Sequence, residues 1–238
     1  MRNPEEWSLT LLIGHDALHY RLEHDSLEAI AGTTPIATGD RLAAIENAVY
    51  DTPQLLDDYR ATRIIVANAR FALTPAELPA SLRGKILRAT LSAVNGDVLT
   101  SDTAWGVGFV FEVPRGLRSF IERTFVMPPV EHHLQVVVDY LHGLETTTVV
   151  LHCGGDKWLD VAIKREGTLQ LANTYYCAAP DDALFYTLQA CKATGVDALT
   201  HRVLLVGDDE ACENLRRRLA DYFKDIEVGH EAPFPLNQ

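Results

Sequence analysis

The sequence predicts an α/β fold of two similar lobes, each a mixed sheet flanked by helices. The first observation is a repeat: an apolar run, a glycine turn closing on an aspartate and a second apolar run occur as LLIGHDALHYRL from Leu11 and as LHCGGDKWLDVAI from Leu151. The second is that three further elements follow each run in the same order and at nearly constant spacing. The third is that helical and buried-strand patterns alternate afterwards, which is typical of a sheet covered by helices.

The three recurring elements are a strand, a helix and a buried strand. The strand is LEAIAGT from Leu27 in the first copy and LQLANTY from Leu169 in the second. The helix begins at an aspartate in both copies, Asp40 and Asp181, and aspartate caps helix N-termini by accepting backbone N–H bonds. The last element is an aliphatic run, RIIVAN and then RVLLVG, which indicates a strand buried on both faces.

The second half of the chain gives the clearer set of elements. The first half carries extra sequence, in which GVGFVFEVPRGLRSFIERTF predicts a strand followed by a helix with Pro114 at its start. VEHHLQVVVDYLHGL predicts a helix that ends at Gly143 and bridges the lobes. We expect a first lobe over residues 1–146, with an insertion near 73–105, and a second lobe over residues 147–238. In the second lobe we expect strands at about 147–153, 158–164, 168–174, 203–206 and 226–228, and helices at about 181–193 and 209–223.

The charge balance argues against two classes of partner. The chain of 238 residues has 21 Lys and Arg against 33 Asp and Glu, which gives a net charge of −12. Nucleic acids and anionic membranes attract cationic surfaces, so we expect no nucleic-acid partner.

No apolar stretch reaches the ~20 residues that a membrane-spanning helix needs. The polar N-terminus is unlike a signal peptide and the four cysteines form no CxxC pair, so we expect a cytoplasmic protein with free thiols.

The duplicated arrangement resembles the actin-like ATPase superfamily, whose two lobes have ribonuclease-H-like folds. TTVVLHCGGDKWLDVAIKREGTLQLANTY lies where that superfamily has its second phosphate loop, and HRVLLVGDDEACENLRRRLADYF where it has its adenosine loop. More narrowly, FVFEVPRGLRSFIERTF, the second-lobe meander and the C-terminal strand and helix beginning HRVLLVGD resemble a bacterial family, domain of unknown function 3822. For an active member, the resemblance to the superfamily implies ATP and Mg²⁺ bound in a cleft between the lobes.

The acids that would hold the Mg²⁺ ion are missing from the matching positions. An actin-like ATPase has an aspartate at the end of each lobe's first strand, before the glycine turn. The first-lobe strand ends Leu12-Ile13-Gly14, and His152 takes the aspartate position in the second lobe. Histidine does not replace a hard oxygen ligand of Mg²⁺. In the adenosine loop Gly207 stands alone before Asp208 and Asp209, whose charge disfavours a nucleotide.

The candidate ligand-binding residues all lie in these turns. Asp16 and Asp156 occupy equivalent positions, so they could hold a metal together or stabilise one turn each. We favour the second interpretation because nothing else in either turn supports catalysis. Lys157 could contact a phosphate or be solvated. We assign no catalytic residue and no metal ligand. The candidate set for the inter-lobe cleft is Gly14, His15, Asp16, His152, Gly154, Gly155, Asp156, Lys157, Gly207 and Asp208.

Three other features each have two interpretations. His132-His133 at a helix start is a weak metal candidate, because adjacent helical residues face different directions and no third ligand follows at helical spacing. Cys153 is either a reactive thiol or a buried one, and we favour a buried thiol. FVMPPVEHH and the tail EAPFPLNQ place apolar residues between prolines, which either dock onto a partner or pack back onto their own lobe.

These observations leave three functional hypotheses. The first is a non-catalytic protein of actin-like fold, with degenerate phosphate loops, that binds a protein partner or acts as a scaffold, as a monomer or a homodimer. The alternative is a nucleotide-binding protein, or a weak ATPase or kinase, whose turn amides hold phosphate in the inter-lobe cleft. ATP and Mg²⁺ are cofactors under that alternative alone. The third, a hydrolase using Cys153 with His152, conflicts with the opposite orientation of adjacent strand residues.

Overall fold

The chain forms two compact units, Met1–Gln135 and Val136–Gln238. The structure, a computed structural model, describes residues 3–145, 148–154, 157–179, 181–197 and 199–229. The boundary between the units falls inside a helix, His133–Gly143, whose end comes just before the lobe boundary expected from the sequence. The division into lobes at residue 146 stays a prediction.

The first unit contains a five-stranded mixed sheet. A three-stranded antiparallel meander is followed by a helix and then by two strands that add in parallel on the other side of the first strand. The order in the sheet is β3-β2-β1-β4-β8, with β1 in the middle. These elements are β1 (Trp7–Ile13), β2 (Ala17–His24), β3 (Ile30–Pro35), α1 (Arg41–Tyr50), β4 (Ala61–Val66) and β8 (Val130–His132).

A second, smaller sheet lies between β4 and β8 in the chain. Its three strands are antiparallel in the order β5-β7-β6, and two helices accompany it. This segment contains residues 73–105, near which the sequence analysis places an insertion in the first lobe. Its elements are β5 (Phe71–Pro75), α2 (Ala80–Thr90), β6 (Asp97–Asp102), β7 (Val107–Val113) and α3 (Leu117–Thr124).

The second unit repeats the topology of the five-stranded sheet. Its order, β11-β10-β9-β12-β13, has the same sequence of antiparallel and parallel pairings as the first. The predicted α/β fold of two similar mixed sheets flanked by helices is therefore confirmed. Its elements are α4 (His133–Gly143, shared across the boundary), β9 (Val149–Cys153), β10 (Trp158–Arg165), β11 (Thr168–Tyr176), α5 (Asp182–Thr194), β12 (Arg202–Gly207), α6 (Asp209–Leu219) and β13 (Asp225–Val228).

The cores follow from strand alternation. In the second unit one face of the sheet packs against apolar residues of α5 and α6, and successive inward residues of β9 are Val149, Leu151 and Cys153. The central strands are buried on both faces, which explains why they read as nearly continuous aliphatic runs in the sequence. None of the described helices is long and apolar enough to cross a membrane.

The helices differ from the prediction in four places, one of which is that α6 ends at Leu219 and not at about residue 223. Asp40 caps α1 as expected, its Oδ1 accepting the Ala43 N–H at 3.0 Å. Asp181, by contrast, makes no capping hydrogen bond and instead pairs with Arg218. Pro114 does not start α3, which begins three residues later. Residues 130–132 form the short strand β8, so the predicted helix begins only at His133.

A buried arginine holds the small sheet to its helix. Arg83 on α2 has a side chain only 5% exposed, and its Nη1 donates to the Asp102 carboxylate at 2.5 Å. Its Nε donates to the Leu78 carbonyl at 2.8 Å, and its Nη2 donates to the Ala76 carbonyl. One guanidinium thus satisfies two half-buried loop carbonyls and joins α2 to the end of β6.

We expect Arg83→Met to lower the free energy of unfolding by about 2–4 kcal/mol, because it leaves a carboxylate and two carbonyls without their donor. Urea denaturation followed by circular dichroism measures the loss. Lys85→Met, an exposed position on the same helix, is the matched control and should change the midpoint little. Equal effects of the two substitutions would contradict the assignment.

Candidate functional site

The first glycine turn connects β1 to β2, and its backbone groups bond within the unit. The Gly14 N–H donates to the Ala17 carbonyl at 2.9 Å, which closes the hairpin, and the Asp16 carbonyl accepts the Ile36 N–H at 2.8 Å. A Cβ at Gly14 would lie 2.7 Å from the Ala17 oxygen, so only glycine fits this close approach. The turn therefore uses its first amide for its own closure.

An arginine side chain lies against this turn. Arg41, the first residue of α1, donates from Nη1 to the His15 carbonyl at 2.8 Å and from Nη2 to the Gly14 carbonyl. Burial lowers the pKa of the Arg41 guanidinium, and the nearby Asp16 carboxylate raises it. The exposed Asp16 thus faces an arginine of its own unit, and the turn presents its carbonyls to that arginine.

The second glycine turn, after β9, has the same closure. The Gly154 N–H donates to the Trp158 carbonyl at 3.0 Å, as the Gly14 N–H does to Ala17. Lys157 has a left-handed backbone (φ +68°), and its carbonyl accepts the Cys177 N–H at 2.7 Å, while its side chain is exposed. The candidate residues Gly155 and Asp156 lie outside the described residues.

A cavity of about 270 Å³ opens beside this second turn. Its described walls are mostly apolar, with alanines from α5, α6 and the preceding loop, and Lys157 is the one charged side chain among the described lining residues. A triphosphate carries several negative charges, so a single exposed lysine provides little neutralisation. The cavity suits an apolar group better than a nucleotide.

Gly207 and Asp208 are structural in the second unit. Gly207 has φ +122°, and a Cβ there would overlap the Cys153 carbonyl, so β9 and β12 approach closely at this point. The Asp208 N–H donates to that carbonyl at 2.9 Å. The Asp208 side chain accepts the Ala211 N–H at 2.8 Å and so caps α6. Both residues are thus used in ending β12 and starting α6.

His152 forms a buried polar cluster on the sheet face opposite the α5 and α6 core. Its Nδ1–H donates to Asp160 Oδ2 at 2.9 Å, and the two residues are directly opposite each other on β9 and β10. Thr174 on β11 donates to Asp160 Oδ1 at 2.7 Å, and Asp160 is 2% exposed. Sequence reasoning missed Asp160 and Thr174, although a lone carboxylate inside the apolar run WLDVAI was the available signal.

Cys153 points away from this cluster. It lies in the apolar core with Cys191 and Cys212, so the expected opposite orientation of His152 and Cys153 is confirmed. The hydrogen bond with the Cys212 thiol, followed by burial, raises the pKa of Cys153. Burial raises the pKa of Cys177 and of Cys191 to about 11. These thiols are poor nucleophiles at neutral pH, because the thiolate is the reactive form.

The two adjacent histidines of the first unit are also engaged. His132 is fully buried, its Nε2–H donates to the Asn68 carbonyl at 2.8 Å, and its ring stacks on Phe109 with centroids 5.1 Å apart. His133 accepts the Asn68 N–H on Nδ1 at 3.2 Å. Across the described part of the chain, no group of three or more His, Cys, Asp or Glu side chains is arranged to hold a metal ion.

We expect Asp160→Ala to lower the free energy of unfolding by about 2–4 kcal/mol, because Thr174 and His152 lose a buried acceptor. Gln170→Ala, an exposed position on β11, is the control. Urea denaturation of both variants gives the comparison. A loss at Asp160 no greater than at Gln170 would show that the cluster contributes nothing.

The raised thiol pKa values predict slow alkylation of the native protein. At pH 8 a thiol of pKa about 11 is only ~0.1% thiolate, so iodoacetamide should modify Cys177 and Cys191 about a hundredfold more slowly than a free thiol. Mass spectrometry after timed quenching measures the rates, and urea-unfolded protein is the control. Rapid selective labelling of Cys153 in the native state would instead support thiol chemistry.

Comparison with known proteins agrees with this architecture. The family model for "Protein of unknown function (DUF3822)" matches residues 2–226. A solved structure from Bacteroides thetaiotaomicron VPI-5482, a protein with actin-like ATPase fold and unknown function, is 15% identical with a TM-score of 0.83 over 99% of this chain and 93% of that one. A structure of the PilM–PilN type IV pilus biogenesis complex is 14% identical with a TM-score of 0.54 over 95% of this chain and 89% of that one.

No curated protein matches the sequence. The two solved structures are only 15% and 14% identical to this chain, so the similarity shows the fold alone. The family match covers most of the chain and confirms the resemblance inferred from the sequence. The protein has an actin-like ATPase fold and belongs to the DUF3822 family.

Proposed function

We propose that this protein is a non-catalytic module of actin-like fold that binds a protein partner or acts as a scaffold, with phosphate loops that have become structural turns. The observation that carries the proposal is the closure of both glycine turns. The Gly14 and Gly154 amides, which would be phosphate donors in an active loop, each donate across their own hairpin. A backbone N–H makes one strong hydrogen bond, so a closed turn has lost that donor.

The charged groups around the turns support the same proposal. Arg41 is directed at turn carbonyls, and Asp208 caps a helix. The histidine at the expected aspartate position is bonded to Asp160. Each of these groups already stabilises its own unit, so using it for a nucleotide would require breaking a native bond.

A protein partner is supported by the fold and by the charge. One solved structure of similar fold is that of a protein–protein complex, PilM with PilN. This chain has a net charge of −12, which favours partners with basic surfaces and disfavours nucleic acid. The described cysteines are all free thiols, which fits a reducing compartment, and we propose that the protein acts in the cytoplasm.

We expect millimolar ATP or ADP, with or without Mg²⁺, to leave the melting temperature unchanged. A nucleotide present at a hundredfold excess over its Kd would stabilise the fold by about 2.7 kcal/mol, which a thermal-shift assay detects easily. Phosphate release in the presence of Mg–ATP should stay at the level of a buffer blank.

Two variants make this test specific. If Mg–ATP does raise the melting temperature and Lys157→Ala or Arg41→Ala abolishes the rise, the turns bind nucleotide and the alternative of a nucleotide-binding protein or weak ATPase or kinase replaces our proposal. Lys85→Ala, an exposed lysine of α2, is the control for the loss of one positive charge.

A further inference from the structure

Two apolar residues between α3 and β8, Val126 and Met127, project from the first unit, and we refer to them as the apolar ridge. Their exposed fractions are 81% and 77%, the highest among the large apolar residues of the described chain. The preceding Phe125 is only 8% exposed. The sequence left open whether the segment FVMPPVEHH docks outward or packs back, and its residues do both: Phe125 packs inward, while the ridge faces solvent.

The backbone of the apolar ridge is strained. Val126 and Met127 have φ values of +52° and +56°, a left-handed conformation that glycine and asparagine adopt readily. A β-branched residue there is a genuine outlier, because its Cβ crowds the following carbonyl. Strain of this kind persists where the surrounding structure imposes it, and it is concentrated at functional sites.

The ridge is fixed on both sides. The Phe125 N–H donates to the Ile121 carbonyl at 2.9 Å and ends α3, while the Pro129 carbonyl accepts the Ile64 N–H of β4 at 3.1 Å. The exposed pair is therefore held between a helix end and a sheet strand. The Met127 N–H also donates to the Glu122 carbonyl at 3.4 Å, so the left-handed backbone takes part in ending α3. The exposure of two large apolar side chains has no such structural role, and a role in recognition accounts for it.

A groove of about 790 Å³ lies beside the ridge, and Val126 and Met127 form part of its wall. Its charged lining consists of four carboxylates against two guanidiniums. Both arginines are in ion pairs, Arg60 with Asp25 at 2.8 Å and Arg63 with the lining carboxylate Glu131 at 2.5 Å, and Glu23 is paired with Arg21 at 3.1 Å. Carboxylates outnumber guanidiniums in the lining, so the formal charge of the groove is negative; the four lining carboxylates are Glu23, Asp57, Asp58 and Glu131.

We propose that the apolar ridge and this acidic groove form a docking site for a segment of another protein that combines apolar side chains with lysine or arginine. The proposal rests on the proposed partner-binding function and names the chemistry of the partner. Apolar side chains would cover Val126 and Met127, and cationic side chains would meet the carboxylates of the groove. Charge complementarity of this kind directs association and selects the partner.

A second copy of this chain fits the site poorly. Two molecules of net charge −12 repel each other. The densest basic run of the chain, Arg216 to Arg218, is engaged by groups of its own unit: Arg216 with Glu213 at 2.7 Å, Arg217 with Asn214, and Arg218 with Asp181. A second copy would thus have to give up these bonds in order to supply cations.

Fluorescence anisotropy with three labelled synthetic peptides tests the docking site. The peptides are equal in length: one alternates lysine with leucine, one alternates glutamate with leucine, and one alternates lysine with serine. We expect the lysine–leucine peptide to bind at least about tenfold more tightly than the other two, because it alone matches both the ridge and the groove. Equal binding of all three would overturn the proposal.

Substitutions separate the ridge from the groove. The double variant Val126→Asn, Met127→Asn should weaken binding of the lysine–leucine peptide about tenfold, while its melting temperature stays the same or rises, since asparagine tolerates the left-handed backbone. Asp57→Asn with Asp58→Asn should weaken binding less and reduce its dependence on salt. Leu27→Asn, 58% exposed and in the same unit, is the matched control and should leave binding unchanged.

Two further outcomes count against the site. Normal peptide binding by the ridge double variant would overturn it. So would a wild-type dimer in sedimentation that this variant abolishes, because the occupant would then be a second copy. A nucleotide-dependent thermal shift would remove the proposed non-catalytic function without affecting the peptide result, so the two failures are distinguishable.

Discussion

The hairpin that follows each central strand closes through a glycine amide, and this closure determines both the sheet geometry and the use of the turn. β1 and β9 each pair antiparallel with the next strand and parallel with a later one, so their ends fix where the hairpin must turn. The Gly14 and Gly154 amides complete that turn in the two units. Because the same amide cannot serve a second strong acceptor, the geometry that builds the sheet also occupies this donor, which is the basis of the proposed function.

The histidine at the expected aspartate position follows from its neighbour across the sheet. His152 stands directly opposite Asp160, which is almost fully buried and also accepts the Thr174 hydroxyl. An aspartate at position 152 would place two carboxylates face to face, and like charges opposed across strands are destabilising. His152 instead provides a donor, and its hydrogen bond to Asp160 satisfies a buried carboxylate of the second unit.

The sequence predicted the parts of the fold that depend on local pattern. Strand runs and the Asp40 cap were read correctly because alternation and capping involve neighbouring residues. The pairing of Asp160 with His152 was missed, since it depends on register between strands that no local pattern reports. The sequence pattern predicts helix over the residues of β8, because three residues are too few to show strand alternation. Asp181 forms an ion pair with Arg218 in place of a helix cap, and a local pattern does not report a contact between segments that are distant in the chain.

The glycine turns and the apolar ridge differ in whether their groups have partners within their own unit. Around the turns, the amides of Gly14 and Gly154, the Arg41 guanidinium and the Asp208 carboxylate all have partners within their own unit, which stabilises the fold and leaves little for a ligand. At Val126 and Met127, large apolar side chains are left exposed on a left-handed backbone. A partner that covers exposed apolar side chains removes them from water, which favours binding. Recognition in this protein is therefore better supported at the ridge than at the loops its fold would suggest.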